Sequence, residues 1–199
     1  MARTRSAGFE LQRELMLGSA AQLFATRGYT ASTMQDLAAA CGVSKATLYH
    51  YVREKYKLRA QITRSHVARL EALAAKVQLE PLDAHQRLSA LMLRFMQVYA
   101  RSRHEHRVLT DNVKFLAGEE RQAVLATQRR VASSFADAVD AQRPDLVSHR
   151  LHTPMAMLLF GMMNWTSTWL SDDGALTHAS LAPLVLSLFL RGLPAVQPG

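Results

Sequence analysis

Between Thr33 and Tyr49 the chain reads Thr-Met-Gln-Asp-Leu-Ala-Ala-Ala-Cys-Gly-Val-Ser-Lys-Ala-Thr-Leu-Tyr, and the spacing has a physical logic. Thr33, with Asp36 three residues on, makes a capping-box-like helix start. Leu37, Ala38 and Cys41 give that helix a short apolar face, and Gly42 stops it after about two turns. Ser44 then caps a second helix from Lys45 to about Tyr51. A short helix packed on another across a glycine turn, with small and polar groups facing outward from the second, has the shape that enters a DNA major groove. Other reactive side chains are sparse. His104-Glu105-His106 and the pair His149 and His152 have ligand-like spacing but no carboxylate cluster or cysteine beside them. They read as surface or capping histidines, and no metal is expected. Cys41 reads as a small buried residue, with a thiol redox sensor as the alternative. One cysteine excludes an internal disulfide and a CxxC pair. No G-x-S-x-G, H-E-x-x-H, P-loop or G-x-G-x-x-G occurs, so no catalytic residue is named and no enzyme is expected.

The elements that must carry this unit follow from composition and periodicity. At 199 residues, 49% hydrophobic and 20% charged, the chain can build a full core, which excludes disordered and fibrous classes. Lys and Arg number 24 against 16 Asp and Glu, for a formal charge of +8, which points to a polyanion, either nucleic acid or an anionic membrane surface. Residues 1–60 carry most of that excess, nine basic side chains against four acidic. No run of 18 apolar residues exists and the polar start Met1–Ser6 lacks a signal-peptide core, so a cytoplasmic protein with no membrane partner is expected. Met16, Ala20, Leu23 and Phe24 mark a first helix from about Phe9 to Arg27, ended by Gly28. From Lys55 onward long helices follow, the first ending before Pro81 and the next capped by Asp83. A shorter one lies around Val108–Leu116, and another runs from Glu119 to Ala141. An almost wholly apolar one covers 147–170, and a last covers about Thr177–Arg191 with Pro183 near its first turn. No strand pattern is visible. The expectation is an all-α fold of about nine helices, divided into residues 1–54 and 55–199.

At the Thr33–Tyr49 run the sequence resembles the TetR family of bacterial transcriptional regulators. Phe24…Gly28-Tyr29, Thr33…Leu37-Ala38…Gly42-Val43-Ser44, Thr47-Leu48-Tyr49 and Lys55…Leu58 fall at the family's spacings, over about residues 12–60. Tyr51-Val52 stands where His-Phe is usual, and Tyr56 where Glu is common. The resemblance implies that 1–54 is the helix-turn-helix DNA-binding domain and 55–199 the ligand-binding and dimerisation domain. It implies that Lys45, Ala46 and Tyr49 meet base edges, with Gln35 adding a contact from the preceding helix. Thr33, Ser44, Thr47, His50, Tyr51 and Lys55 would complete the DNA face, mainly through phosphates, and Arg3 and Arg5 would reach a neighbouring minor groove. The function implied is a ligand-responsive repressor binding a palindromic operator as a homodimer, released by a shift of population when effector binds.

The C-terminal stretch Phe160-Gly161-Met162-Met163-Asn164-Trp165…Trp169…Asp173-Gly174…Leu181…Phe189-Leu190-Arg191-Gly192-Leu193 resembles a TetR branch whose members often answer to acyl-coenzyme A thioesters. The implied partner is thus a small apolar or amphipathic effector, an acyl-CoA in that branch, with no resident cofactor. Met92, Phe95, Met96, Tyr99, Leu109, Asn112, Phe135, Leu158, Met162 and Trp165 would line its slot. Arg103, with Arg94, Arg101, Arg107 and Lys114, would meet the carrier's phosphates. Leu151, Met155, Leu159, Leu181, Leu184 and Leu188 would form the dimer interface. The alternatives are a multidrug- or aromatic-responsive regulator of an efflux or catabolic operon and, in another class, a helical lipid-binding protein or enzyme.

Overall fold

A computed structural model describes residues 7–170 and 174–197, and all regular structure among them is helical. Ten α-helices follow in order: α1 (Ala7–Arg27), α2 (Met34–Ala40), α3 (Lys45–Tyr51), α4 (Lys55–Gln78), α5 (Ala84–Arg101), α6 (Arg103–Asn112), α7 (Gly118–Gln142), α8 (Asp145–Ser148), α9 (His152–Trp169) and α10 (His178–Gly192). Short 3-10 turns follow α6 and α10. By contact the chain forms two units, one of residues 1–66 with 104–122 and one of 67–103 with 123–199. The functional division at 54/55 cuts elsewhere, because α4 contributes its first half to one unit and its second half to the other.

The first unit is built around α1. Met16, Ala20, Ala21 and Phe24 on its inner face pack with Leu37 and Ala38 of α2, Leu48 of α3, Leu58 and Ile62 of α4 and Val108 of α6. Two glycines permit the tight connections. Gly28 ends α1 at φ +90° and Gly42 turns from α2 at φ +65°, where a side chain would be strained. The second unit is a helical body in which α10 lies along α5. Its centre is aromatic: Phe95 and Phe135 meet edge to face at 4.9 Å, and Phe160 leans on Phe135 at 4.6 Å.

One long helix over 147–170 is not what forms. Leu146 is buried by the four-residue α8, Arg150 turns to φ 56°, and α9 starts at His152. Pro154 explains the restart, since proline is tolerated in a first helical turn and not in an interior. Pro183, by contrast, sits inside α10 rather than at its first turn. The stretch His178–Ala195 is by length and composition apolar enough to cross a membrane, which reflects the apolar residues on both faces of α10.

Candidate nucleic-acid interface

Helix α3 is seven residues long, and one of them sets its orientation. Leu48 is fully buried, while Lys45, Ala46, Thr47, Tyr49 and His50 are all exposed. At about 100° per residue, Ala46 and His50 stand opposite Leu48, with Lys45, Tyr49 and Thr47 on the flanks. The outward face therefore carries an ammonium, a methyl, a hydroxyl, a phenol and an imidazole. That is a set able to read both the hydrogen-bonding and the methyl pattern of a major groove. Ser44 begins the helix, its Oγ accepting from the Thr47 N–H at 3.0 Å and lying 2.8 Å from the Thr47 hydroxyl.

α2 holds α3 in place and is itself closed by a capping box. The Thr33 hydroxyl accepts from the Asp36 N–H at 3.1 Å, and Asp36 accepts from the Thr33 N–H at 2.8 Å. Arg27 reaches from the end of α1 to Asp36 at 2.9 Å. Hydrogen bonds from Thr33, with the Arg27 charge beside them, hold the Asp36 carboxyl below its ordinary value. Gln35 is exposed on α2. Arg3 and Arg5 lie outside the described residues.

Two expected phosphate ligands are placed differently. The Lys55 ammonium donates to the carbonyls of Tyr29 at 2.8 Å, Ser32 at 2.7 Å and Thr30 at 3.5 Å, and lies 4.4 Å from the Tyr29 ring centroid. An ammonium has three donors, so this one ties the α1–α2 turn to α4 and is not a free cation. Tyr51 is half-buried with its ring stacked on Phe9 at 4.6 Å. Cys41 is half-buried, its thiol facing the Met16 carbonyl at 3.6 Å, and burial pushes its pKa up, away from the reactive thiolate. His106 faces the buried His66 at 3.2 Å, and His149 turns back onto the Asp145 carbonyl.

The expected effector and dimer residues separate into different environments. Met92, Phe95, Met96, Tyr99, Leu109 and Phe135 are buried, and burial pushes the Tyr99 phenol up. Met162 is half-buried. Leu158 and Trp165 are not lining residues at all, being 63% and 67% exposed. Leu159 and Leu181, expected on a dimer face, are instead core, at 0% and 7%. Leu184 and Leu188 are exposed, and Leu151 and Met155 are half-buried. For Leu158, Leu159 and Trp165 the physical reason is that α9 is apolar around its circumference, so composition does not show which side faces in, and α10, which carries Leu181, is apolar on both faces too. Met157, Leu158, Trp165 and Trp169 form its exposed side. Of the expected phosphate-binding arginines, Arg94 is taken by Glu80 in a two-pronged pair at 2.5 and 2.8 Å. Arg107 pairs with Asp111 at 3.6 Å, while Arg101 and Arg103 are exposed. Asn112 lies beside Arg107 and Lys114 at a cleft of the first unit.

Comparison with known proteins agrees with this geometry. Residues 17–62 match the family described as bacterial regulatory proteins, tetR family, and residues 81–193 match the tetracyclin repressor-like C-terminal domain. The chain is 26% identical over 185 residues to the HTH-type transcriptional repressor KstR2 of Rhodococcus jostii, covering 92% of this chain and 91% of that protein. A crystal structure of a TetR-family transcriptional regulator from Bordetella parapertussis superposes with TM-score 0.84 at 32% identity, over 94% of this chain and 98% of that one. AibR in complex with isovaleryl coenzyme A and operator DNA superposes with TM-score 0.77 at 26% identity, over 89% and 97% of the two chains.

Proposed function

The chain belongs to the tetR family of bacterial regulatory proteins and is a DNA-binding transcriptional regulator, and from that premise we propose that it is a cytoplasmic, homodimeric repressor released from its operator by an acyl-coenzyme A thioester. The observation that carries the DNA-binding part is α3, a helix pinned by the buried Leu48 and the half-buried Tyr51, with Lys45, Ala46, Thr47, Tyr49 and His50 turned outward. Two such helices, related by a two-fold axis and about one helical turn of DNA apart, would occupy successive half-sites of a palindrome.

The dimer reading rests on the exposed apolar side of α9 and α10. Trp165, Leu158, Leu184 and Leu188 are each more than half exposed, a patch that a lone soluble chain rarely leaves to water. Covering it with the same surface of a second copy gives an isologous four-helix contact.

The effector reading is supported by the second unit's interior and by a neighbour's ligand. The aromatic cluster of Phe95, Phe135 and Phe160 sits among Met92, Met96 and Met163, side chains that rearrange readily around an apolar guest. One helical turn beyond Phe160, the Asn164 Oδ1 is buried with no hydrogen-bond partner among the described residues, so an acceptor stands ready for a donor on a guest. AibR carries isovaleryl coenzyme A in a similar fold. No catalytic constellation is called on. The thioester acts by binding one state better than the other, and coupling of about 1–3 kcal/mol is enough for a switch of about 5–150-fold.

The test is a titration of the operator complex with fatty, aromatic and short-chain acyl-CoAs, the matching free acids, and free coenzyme A. Release by a thioester and by neither of its halves is the expected result. Release by free acids or cationic dyes, with thioesters inert, overturns the effector assignment and favours the multidrug or aromatic alternative.

A further inference from the structure

A cleft of about 910 Å³ opens within the first unit, between the end of α1, the turn after it, α4 and the segment from α6 to Phe115. Its charged lining is Arg27, Arg59, Arg107 and Lys114 against one carboxylate, Asp111. Arg59 is the unusual member. It is only 6% exposed, its guanidinium carbon lies 3.9 Å from the Tyr29 ring centroid, and its Nη2 donates to the Phe115 carbonyl at 3.0 Å. Its Nε is buried with no hydrogen-bond partner, and it pairs with no carboxylate among the described residues. A recessed cation without a counter-charge is costly, and a fixed planar guanidinium is the side chain best shaped to meet a phosphate.

The surroundings favour an anion. The carbonyls that would repel one are already engaged: Gly28 O by the Ser32 hydroxyl at 2.7 Å, Tyr29 O by Lys55 at 2.8 Å, and Phe115 O by Arg59 itself. Lys114 lies 5.1 Å and the Arg59 guanidinium 5.9 Å from the Phe115 ring centroid, and Phe115 is 58% exposed, with no aromatic ring against it among the described residues. The cleft is far larger than a single phosphate and falls within the roughly 300–1,000 Å³ range of small-molecule sites. A DNA duplex presents its phosphates on a convex surface and does not reach a side chain this deeply recessed.

We infer that this cleft binds an organic phosphate of the nucleotide class, with its phosphates held among Arg59, Arg107 and Lys114 and its base set against Phe115. The inference does not rest on the acyl reading. The same chemistry comes from a free nucleotide or from the nucleotide end of a coenzyme A ester, and the assay separates the two.

The experiment is calorimetric titration of the full chain at low salt with adenosine 3′,5′-bisphosphate, free coenzyme A and inorganic pyrophosphate. Saturable binding of the bisphosphate, one per chain, is expected. Charge-assisted hydrogen bonds of this kind lead us to expect Arg59→Gln to weaken it about 10-fold or more, and the exposed double variant Arg107→Ala/Lys114→Ala by a similar factor. Phe115→Ala should weaken the bisphosphate and leave pyrophosphate unchanged, which marks the base contact. Coenzyme A binding much more tightly than the bisphosphate assigns the site to the ester's nucleotide end, and equal binding assigns it to a free nucleotide. The double variant keeps the test decisive if Arg59→Gln does not fold. The proposal is overturned if the wild-type chain shows no saturable binding, or if the double variant binds as the wild type does. It is equally overturned if the double variant loses operator affinity with no ligand present, since the cations would then serve DNA. Thioester release of the operator complex is read separately, so failure here leaves the effector assignment standing and the reverse also holds.

Discussion

α3 and α9 are both amphipathic only in part, but they differ in how steeply their two faces contrast. In α3 the contrast is steep: one buried leucine among an ammonium, a hydroxyl, a phenol and an imidazole. In α9 the buried side is Ala156, Leu159, Met163 and Thr166, while the exposed side carries Met157, Leu158, Trp165 and Trp169. The exposed side of α9 is the more apolar of the two. Consecutive residues point about 100° apart, so an error of one position sends Leu158 inward and Leu159 outward. A helix declares its orientation through contrast between faces, and a helix that is to be covered by a second protomer has little contrast to declare.

The largest effects expected are at the two residues that anchor these orientations. Leu48→Ala and Leu159→Ala each delete a fully buried side chain and should cost about 2–5 kcal/mol in urea unfolding. Tyr49→Ala and Leu158→Ala, one position away and exposed, should stay within about 0.5 kcal/mol when measured at low protein concentration. A larger cost at Tyr49 than at Leu48, or at Leu158 than at Leu159, would show that the helix is turned the other way. Leu48→Ala should also abolish operator binding, since it removes the residue that points α3 outward.

Next in size is the effect on the proposed self-association through α9. Trp165→Asp places a charge in the exposed apolar face, and burying an unpaired carboxylate twice in an isologous contact should weaken the dimer by about 100-fold or more. Sedimentation at micromolar concentration reads this directly. A wild-type chain that sediments as a monomer there would remove the reason for the patch.

A third contrast lies between two lysines that the family resemblance places on the DNA face, Lys45 at base edges and Lys55 at phosphates. Lys55→Ala removes the tie to the Tyr29 and Ser32 carbonyls and should destabilise the first unit by about 1.5–3 kcal/mol, with the salt dependence of DNA binding unchanged. Lys45→Ala should leave stability alone and relax base preference at one half-site position, by about 1–3 kcal/mol per half-site. A shallower salt slope for Lys55→Ala would return that lysine to the phosphate contacts.

The same rule of contrast explains what could be read in advance. The bounds of α2 and α3 were legible because Thr33, Gly42 and Ser44 are punctuation with local causes: a cap, a left-handed turn and a cap. The capped start of α5 at Asp83 was legible for the same reason. The break at α8 was not, since it depends on Leu146 being buried and on Arg150 adopting a positive φ, which no local residue preference announces. The tie made by Lys55 was not legible because its partners are backbone carbonyls 23 to 26 residues away. Arg59 carries no motif at all. Its environment exists only once Tyr29 and Phe115 are brought to the same side of α4.

The smallest effect expected tests how firmly α2 holds the reading helix. Asp36 closes the capping box with Thr33 and pairs with Arg27, and its carboxyl is held below the ordinary value of 3.8. A carboxyl whose pKa is depressed by folding binds protons more readily in the unfolded chain, so its stabilisation is complete above the unfolded value and fades as pH falls through the folded one. Acid should therefore loosen the first unit below about pH 4, where the unfolded chain begins to take up protons that the folded capping box resists. Asp36→Asn retains an oxygen to accept from Thr33 but has no charge for Arg27 and nothing to titrate. In that variant the acid-induced loss between about pH 4 and pH 2 should be shallower than in the wild type, with the curves closest at the acid end, where the wild-type carboxyl is also neutral. Amide exchange of the α2 and α3 N–H groups across that range reads the effect locally. Identical pH profiles for the two chains would mean that the caps of α2 hold without the carboxylate, and that Leu37 and Ala38, by packing alone, keep α3 facing outward.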